Sequence, residues 1–203
     1  FRLLIMLKRL LIGLFVLALG LFLYSVFVEN IFAPRLSPKD TAELKLNDLK
    51  LEVKYNRPSK RDRDIFGALV PYNKVWRTGA NEATTFETNT DLLIEGMKLE
   101  KGKYTLWTVP MSNSWKVMFN SEQYEWGVNE KMEPMWNPNF DVVEVEVPIH
   151  NIDTIVERFT ISFDNKTGHL KLSMAWDSTV IDVPIEMYDA KKLSDLRKRG
   201  KKK

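Results

Sequence analysis

The residues with the most chemistry to offer lie in VWRTGANEATTF, residues 75–86. Arg77, Asn81 and Glu82 surround Gly79, with Trp76 before them and Thr84 after. An indole face beside a guanidinium, an amide and a carboxylate can grip a sugar or a small molecule bearing a carboxylate. The same residue types have a structural use. Gly79 suits a tight turn, an Arg/Glu pair flanking it can close an ion pair, and Asn81 can bridge backbone groups. The segment 121–140 adds Trp126 and Trp136 as a further aromatic platform. The candidate ligand-binding residues are therefore Trp76, Arg77, Asn81, Glu82, Thr84, Trp126 and Trp136.

Catalysis finds less support. Glycoside hydrolysis needs two carboxyl groups set about 5–9.5 Å apart. Glu82 and Glu87 supply the groups, but nothing in their spacing imposes that distance. There is no Gly-x-Ser-x-Gly elbow, no His-Glu-x-x-His and no glycine-rich phosphate loop followed by lysine. No catalytic residue is assigned and the chain reads as non-enzymatic. His150 and His169 are the two histidines, on separate segments, and there is no cysteine. A metal site would have to bring both together with Asp153 or Asp164, so neither a metal nor another cofactor is expected. Asp164 to Gly168 opens like a calcium loop but lacks the later ligands and reads as a hairpin turn.

The elements that must position these residues are strands. In LKLEVKY, Leu49, Leu51, Val53 and Tyr55 alternate with Lys50, Glu52 and Lys54. The segments 83–89, 91–95, 103–109, 114–120, 141–147, 158–164 and 169–176 follow with similar alternation or β-rich composition. Turn signals separate them at 100–102, 110–113, 165–168 and Asp177-Ser178. About nine short strands with hairpin-length connections predict an all-β fold, an antiparallel β-sandwich spanning 46–185. The aromatic segment 121–140 should fold over its edge or mouth. Residues 186–203 read as a short helix or basic tail.

Upstream, residues 10–28 read LLIGLFVLALGLFLYSVFV without a charge or a proline. At about 1.5 Å per residue they match the hydrocarbon thickness of a bilayer. That predicts a single transmembrane helix between a basic end at 1–9 and a linker at 29–45. The apolar run exceeds the roughly 7–15 residues of a cleaved signal, and Ile31-Phe32-Ala33 is a poor cleavage site. The chain opens on Phe1 rather than Met, so further residues are expected upstream. Lys8 and Arg9 abut the helix on one side, against mixed charges on the other, which favours a cytoplasmic amino terminus. Gly13, Leu17 and Gly20 share a helix face against which a partner helix could pack.

The formal net charge of +3 combines +7 in residues 191–203 and +3 in residues 1–9, leaving −7 to residues 10–190. A mildly acidic body argues against a nucleic-acid interface, which needs a basic stripe. The basic tail could approach anionic lipid or an acidic partner.

Residues 65–120 carry a resemblance. Ile-Phe-Gly at 65–67 and Val-Pro-Tyr at 70–72 lead into Trp-Arg-x-Gly-Ala-Asn-Glu-Ala-Thr at 76–84. Leu-x-x-Gly-x-Tyr-x-Leu at 99–106, a Trp-bearing strand and Phe-Asn at 119–120 follow, and Tyr55 and Pro58 precede. In this order the segments resemble the signature of the DUF2911 family, typical of Bacteroidetes and related bacteria. The likeness covers roughly residues 46–176. It implies an exported, single β-rich domain and, the family's function being undefined, no activity. The expected protein is a non-enzymatic β-sandwich in the periplasm, tethered to the bacterial inner membrane. It would act as an accessory or assembly subunit with protein partners on its helix and sandwich surface. The alternative is a ligand- or glycan-binding module using residues 76–84.

Overall fold

The computed structural model describes residues 2–27, 35–166 and 168–189, and it divides between Arg35 and Leu36 into two units. The first holds α1, Arg2–Phe27, 26 residues with none buried. Its most apolar window has a mean hydropathy of 2.6. The helix starts ahead of the expected span because Leu3 to Arg9 are themselves mostly good helix formers. At about 39 Å it is long enough to cross a bilayer, a property that membrane anchors and signal sequences share. Residues 28–34, which hold the end of the expected span and much of the linker, lie outside the described residues.

The second unit is built from nine strands: β1 (Lys39–Leu46), β2 (Leu49–Asn56), β3 (Thr85–Thr88), β4 (Leu92–Ile94), β5 (Met97–Leu99), β6 (Gly102–Pro110), β7 (Ser114–Asn120), β8 (Asp141–Asp164) and β9 (Lys171–Met187). Their order across the sheet is β1-β2-β3-β6-β7-β8-β9-β4-β5, and the paired strands run antiparallel. β1 occupies the stretch read as linker. It pairs with β2 from Lys39↔Asn56 to Leu46↔Leu49, and Asn47 makes the turn at φ 51°.

The long strands β8 and β9 join two layers. β9 doubles back at Asp177-Ser178, where the sequence marks a turn. Ile185 N donates to Leu170 O at 2.8 Å, whereas 15 extended residues would hold those atoms roughly 50 Å apart. Asp182 receives Lys171 and Ser173 across the same fold, and Asp177 sits in the left-handed region at φ 55°. β8 pairs with β7 through Asp141–Pro148, then flanks both halves of β9, beside residues 179–181 and 171–175. Since the two halves of β9 are antiparallel, the flanking stretches of β8 reverse as well, where the register slips between Asn151 and Val156. This is why 141–147 and 158–164 read as separate strands. Glu186 and Met187, expected to open a terminal helix, belong to β9, and residues 190–203 lie outside the described residues.

The core fills the space between the layers. Leu49, Leu51, Val53 and Tyr55 of β2, with Phe86, Val117 and Phe119, face Phe159, Ile161, Leu172 and Met174. Tyr55 meets Phe159 edge-on at 5.9 Å, and Phe86 lies 6.4 Å from Phe163. β6 is buried on both faces. The segment 121–140 closes its outer side, where Thr105 Oγ1 donates to Glu122 O and Tyr124 packs edge-on to Trp107 at 5.4 Å.

Candidate ligand-binding pocket

The turn after Trp76 is fastened from within. Trp76 pairs with Thr108 through two backbone hydrogen bonds of 2.7 and 3.0 Å, which anchors the loop to β6. Thr78 and Asn81 both adopt φ 56°, and the reversal is closed by Trp76 Nε1 donating to Gly79 O at 3.0 Å. Thr84 Oγ1 donates to Thr78 O at 2.8 Å. Gly79 is required because a Cβ there would stand 3.0 Å from the carbonyl oxygen of Asn56. Asn81 Nδ2 donates to Ser37 O at 3.2 Å. The Glu82 carboxylate accepts from Asn56 Nδ2 at 3.0 Å and pairs with Lys39 Nζ at 2.8 Å. Asn81, Glu82 and Thr84 thus fasten the turn to β1, β2 and the segment before them.

Trp76 and Arg77 face the other way, into an open pocket of about 820 Å³. Its floor is Trp76 stacked on Trp176, with ring centroids 6.0 Å apart and planes inclined by 17°. One wall is Leu69 to Pro71 and Val75, and the other is Val128, Met132, Pro134 and Trp136 from the long segment. Trp136 Nε1 donates to the Asp141 carboxylate at 3.0 Å and Trp176 Nε1 to Glu157 O at 3.3 Å, so with Trp76 all three indole N–H groups are committed and only ring faces are on offer. Desolvation pushes the Asp141 carboxyl above its ordinary pKa, against the hydrogen bonds from Asn120 and Trp136.

Arg77 is the exposed nerve of the pocket. Its Nη1 is buried and has no hydrogen-bond partner among the described residues. Burial lowers the guanidinium pKa, and the group nevertheless stays charged at neutral pH. Gly127 presses on its stem, since a Cβ at Gly127 would lie 2.7 Å from Arg77 Cβ. A buried charged donor left unmatched is destabilising by roughly 1–3 kcal/mol or more; Nη1 itself has no accessible surface, so what Arg77 offers an anion in the pocket is its charge and the part of the side chain that lines it. Arg61, Arg63 and Lys74 also line the pocket, against a single carboxylate among the described residues, Glu133. That carboxylate accepts from Asn129 Nδ2 at 2.9 Å within its own loop.

Of the seven residues singled out by sequence, Trp76, Arg77 and Trp136 line the pocket. Asn81, Glu82, Thr84 and Trp126 do not; Trp126 bridges Glu82 through its backbone, with its side chain 47% exposed. Sequence reasoning missed Arg61, Arg63, Leu69, Lys74, Met132 and Trp176. The Arg61-Asp62-Arg63 cluster was a visible signal for the first two, while no local pattern points to the others. Glu87 faces solvent on β3, and His150 and His169 are exposed. Among the described residues no group of three His, Cys, Asp or Glu is placed to hold a metal ion.

Compared with known proteins, residues 37–185 match the family model described as "Protein of unknown function (DUF2911)". No curated protein matches the chain, and no solved structure does.

Proposed function

Since the chain belongs to the DUF2911 family, whose description assigns no function, we propose its role from the pocket: the body is a non-enzymatic binding module for a small anionic molecule, and α1 anchors it to a membrane. The observation that carries this is Arg77 lining the pocket beside an aromatic floor, its charge paired with no carboxylate among the described residues. A guanidinium held this way is a poor structural device and a good anion receptor. The turn residues have structural partners of their own, so the pocket does not depend on them for its chemistry.

The test is thermal shift of the full chain in nanodiscs against a panel of small anions and neutral analogues. Anions should raise the melting temperature of the wild type and leave Arg77→Met unmoved. A panel in which nothing shifts the wild type, or shifts both proteins alike, removes the proposal. The assembly-subunit reading rests on the helix face of Gly13, Leu17 and Gly20, and recovery of a lone monomer after mild extraction would count against it.

A further inference from the structure

We infer that the pocket's ligand is a single-chain anionic amphiphile, a carboxylate or phosphate on an alkyl tail, with its head on Arg77 and its tail across Trp76, Leu69 and Met132. This rests on the binding reading above and narrows it to a chemical class.

The lining decides between an amphiphile and a sugar. Among the described residues its charged groups are Arg61, Arg63, Lys74 and Arg77 against Glu133. Arg63 is turned onto the carbonyls of Ser59 and Lys60, and Arg61 Nη2 onto that of Leu36, which leaves Arg77 and Lys74 as the lining cations without a hydrogen bond or ion pair among the described residues. Among the described residues no asparagine, glutamine, aspartate or histidine lines the pocket, and the hydroxyls there are those of Ser37 and Ser59. A polyhydroxylated ring would bury donors and acceptors without partners there. All three tryptophan N–H groups are already used internally. What remains is a cationic end, Arg77 with Lys74, and a largely apolar surface.

The mouth supports the same class. Leu36, Leu69 and Met132 line it with 73%, 43% and 67% of their surface exposed, next to a well-sealed core. A sugar gains nothing from aliphatic side chains held open to water, whereas an alkyl chain covers them. Its volume lies within the range of pockets that enclose ligands of drug size. Such amphiphiles concentrate in bilayers, the environment that the apolar length of α1 suits.

The experiment uses the full chain in phosphatidylcholine nanodiscs with two photoreactive probes, a diazirine-bearing dodecanoate and the matched dodecanol, and maps labelled peptides by mass spectrometry. The dodecanoate probe should label peptides containing Leu69, Trp76 and Met132, while the alcohol labels α1 and little else. Unlabelled dodecanoate should compete, with potency rising about two- to fourfold per added methylene across octanoate, decanoate and dodecanoate. Acetate and inorganic phosphate at equal concentration should not compete. Arg77→Met should cut labelling of the body at least tenfold, and Arg77→Lys should restore part of it.

Equal labelling of the body by the alcohol, competition by acetate or phosphate, or a flat chain-length series would overturn the inference. If dodecanoate labels nothing in the body while other anions still give an Arg77-dependent thermal shift, the amphiphile class fails and the binding module stands. If no compound shifts the wild type, both fail together.

Discussion

Arg77 and Thr84 sit seven positions apart in one motif and do opposite work. Thr84 completes the turn by donating to Thr78 O, and its hydroxyl is buried. Thr84→Val should destabilise the body by about 1–3 kcal/mol, because it leaves a buried carbonyl without that donor. Binding at the folded temperature should persist. Arg77→Met removes a buried charge without a partner and keeps an aliphatic stem under Gly127. It should raise stability by roughly 1–3 kcal/mol while abolishing anion binding. Paired denaturation and binding measurements separate the two, and a destabilised Arg77→Met would mean that the guanidinium has a structural role. Composition showed which side chains could donate and accept. It could not show direction, and direction is what divides Trp76 and Arg77, facing the pocket, from Asn81 and Glu82, facing β1 and β2.

Among elements, β2 was legible because its buried face is uniformly apolar, and the Asp177-Ser178 turn because its residues are poor strand formers. β1 was not legible: its inward positions are Asp40, Ala42 and Leu44, a weak apolar signal on an edge strand. The turn at Asp177 also holds the pocket wall. Lys60 Nζ pairs with Asp177 Oδ2 at 2.7 Å with both side chains largely covered, and Lys60 N donates to Glu157 O. Asp177→Ala should therefore lower the melting temperature more than Asp177→Asn, since Asn tolerates the left-handed backbone and loses only the ion pair. Tyr55 ties the layers together. Its hydroxyl accepts from Ile161 N at 3.0 Å, and burial pushes its pKa up to about 12 despite that backbone contact and Arg57. With a folded pKa above the unfolded value near 10, its contribution is complete below about pH 10 and is lost as pH rises toward 12. Urea denaturation from pH 9 to 12 should show a decline that is smaller in Tyr55→Phe, which will itself be less stable at neutral pH because Ile161 N–H loses its acceptor.

For the molecule as a whole, hydropathy divides the labour between the two units. Within the second unit the core cluster runs from Leu49 to Ile185, and the partly buried residues against it begin at Ala42. The other unit, α1, is apolar around its whole circumference, with a mean hydropathy of 2.6 in its most apolar window, a composition that suits an apolar solvent. The proposal that this solvent is a membrane, with the body outside the cytoplasm, makes two separable predictions. First, the full chain, α1 included by intact mass, should stay with vesicles through an alkaline carbonate wash. Recovery of a shorter soluble chain that has lost α1 would identify a cleaved signal instead. Second, Lys8 and Arg9 lie at one end of the apolar run without a matching cluster at the other, so protease added to spheroplasts should digest the body before any detergent is present. If digestion requires detergent, the orientation is reversed, and a pocket exposed to the cytoplasm would have to draw its amphiphile from the inner leaflet.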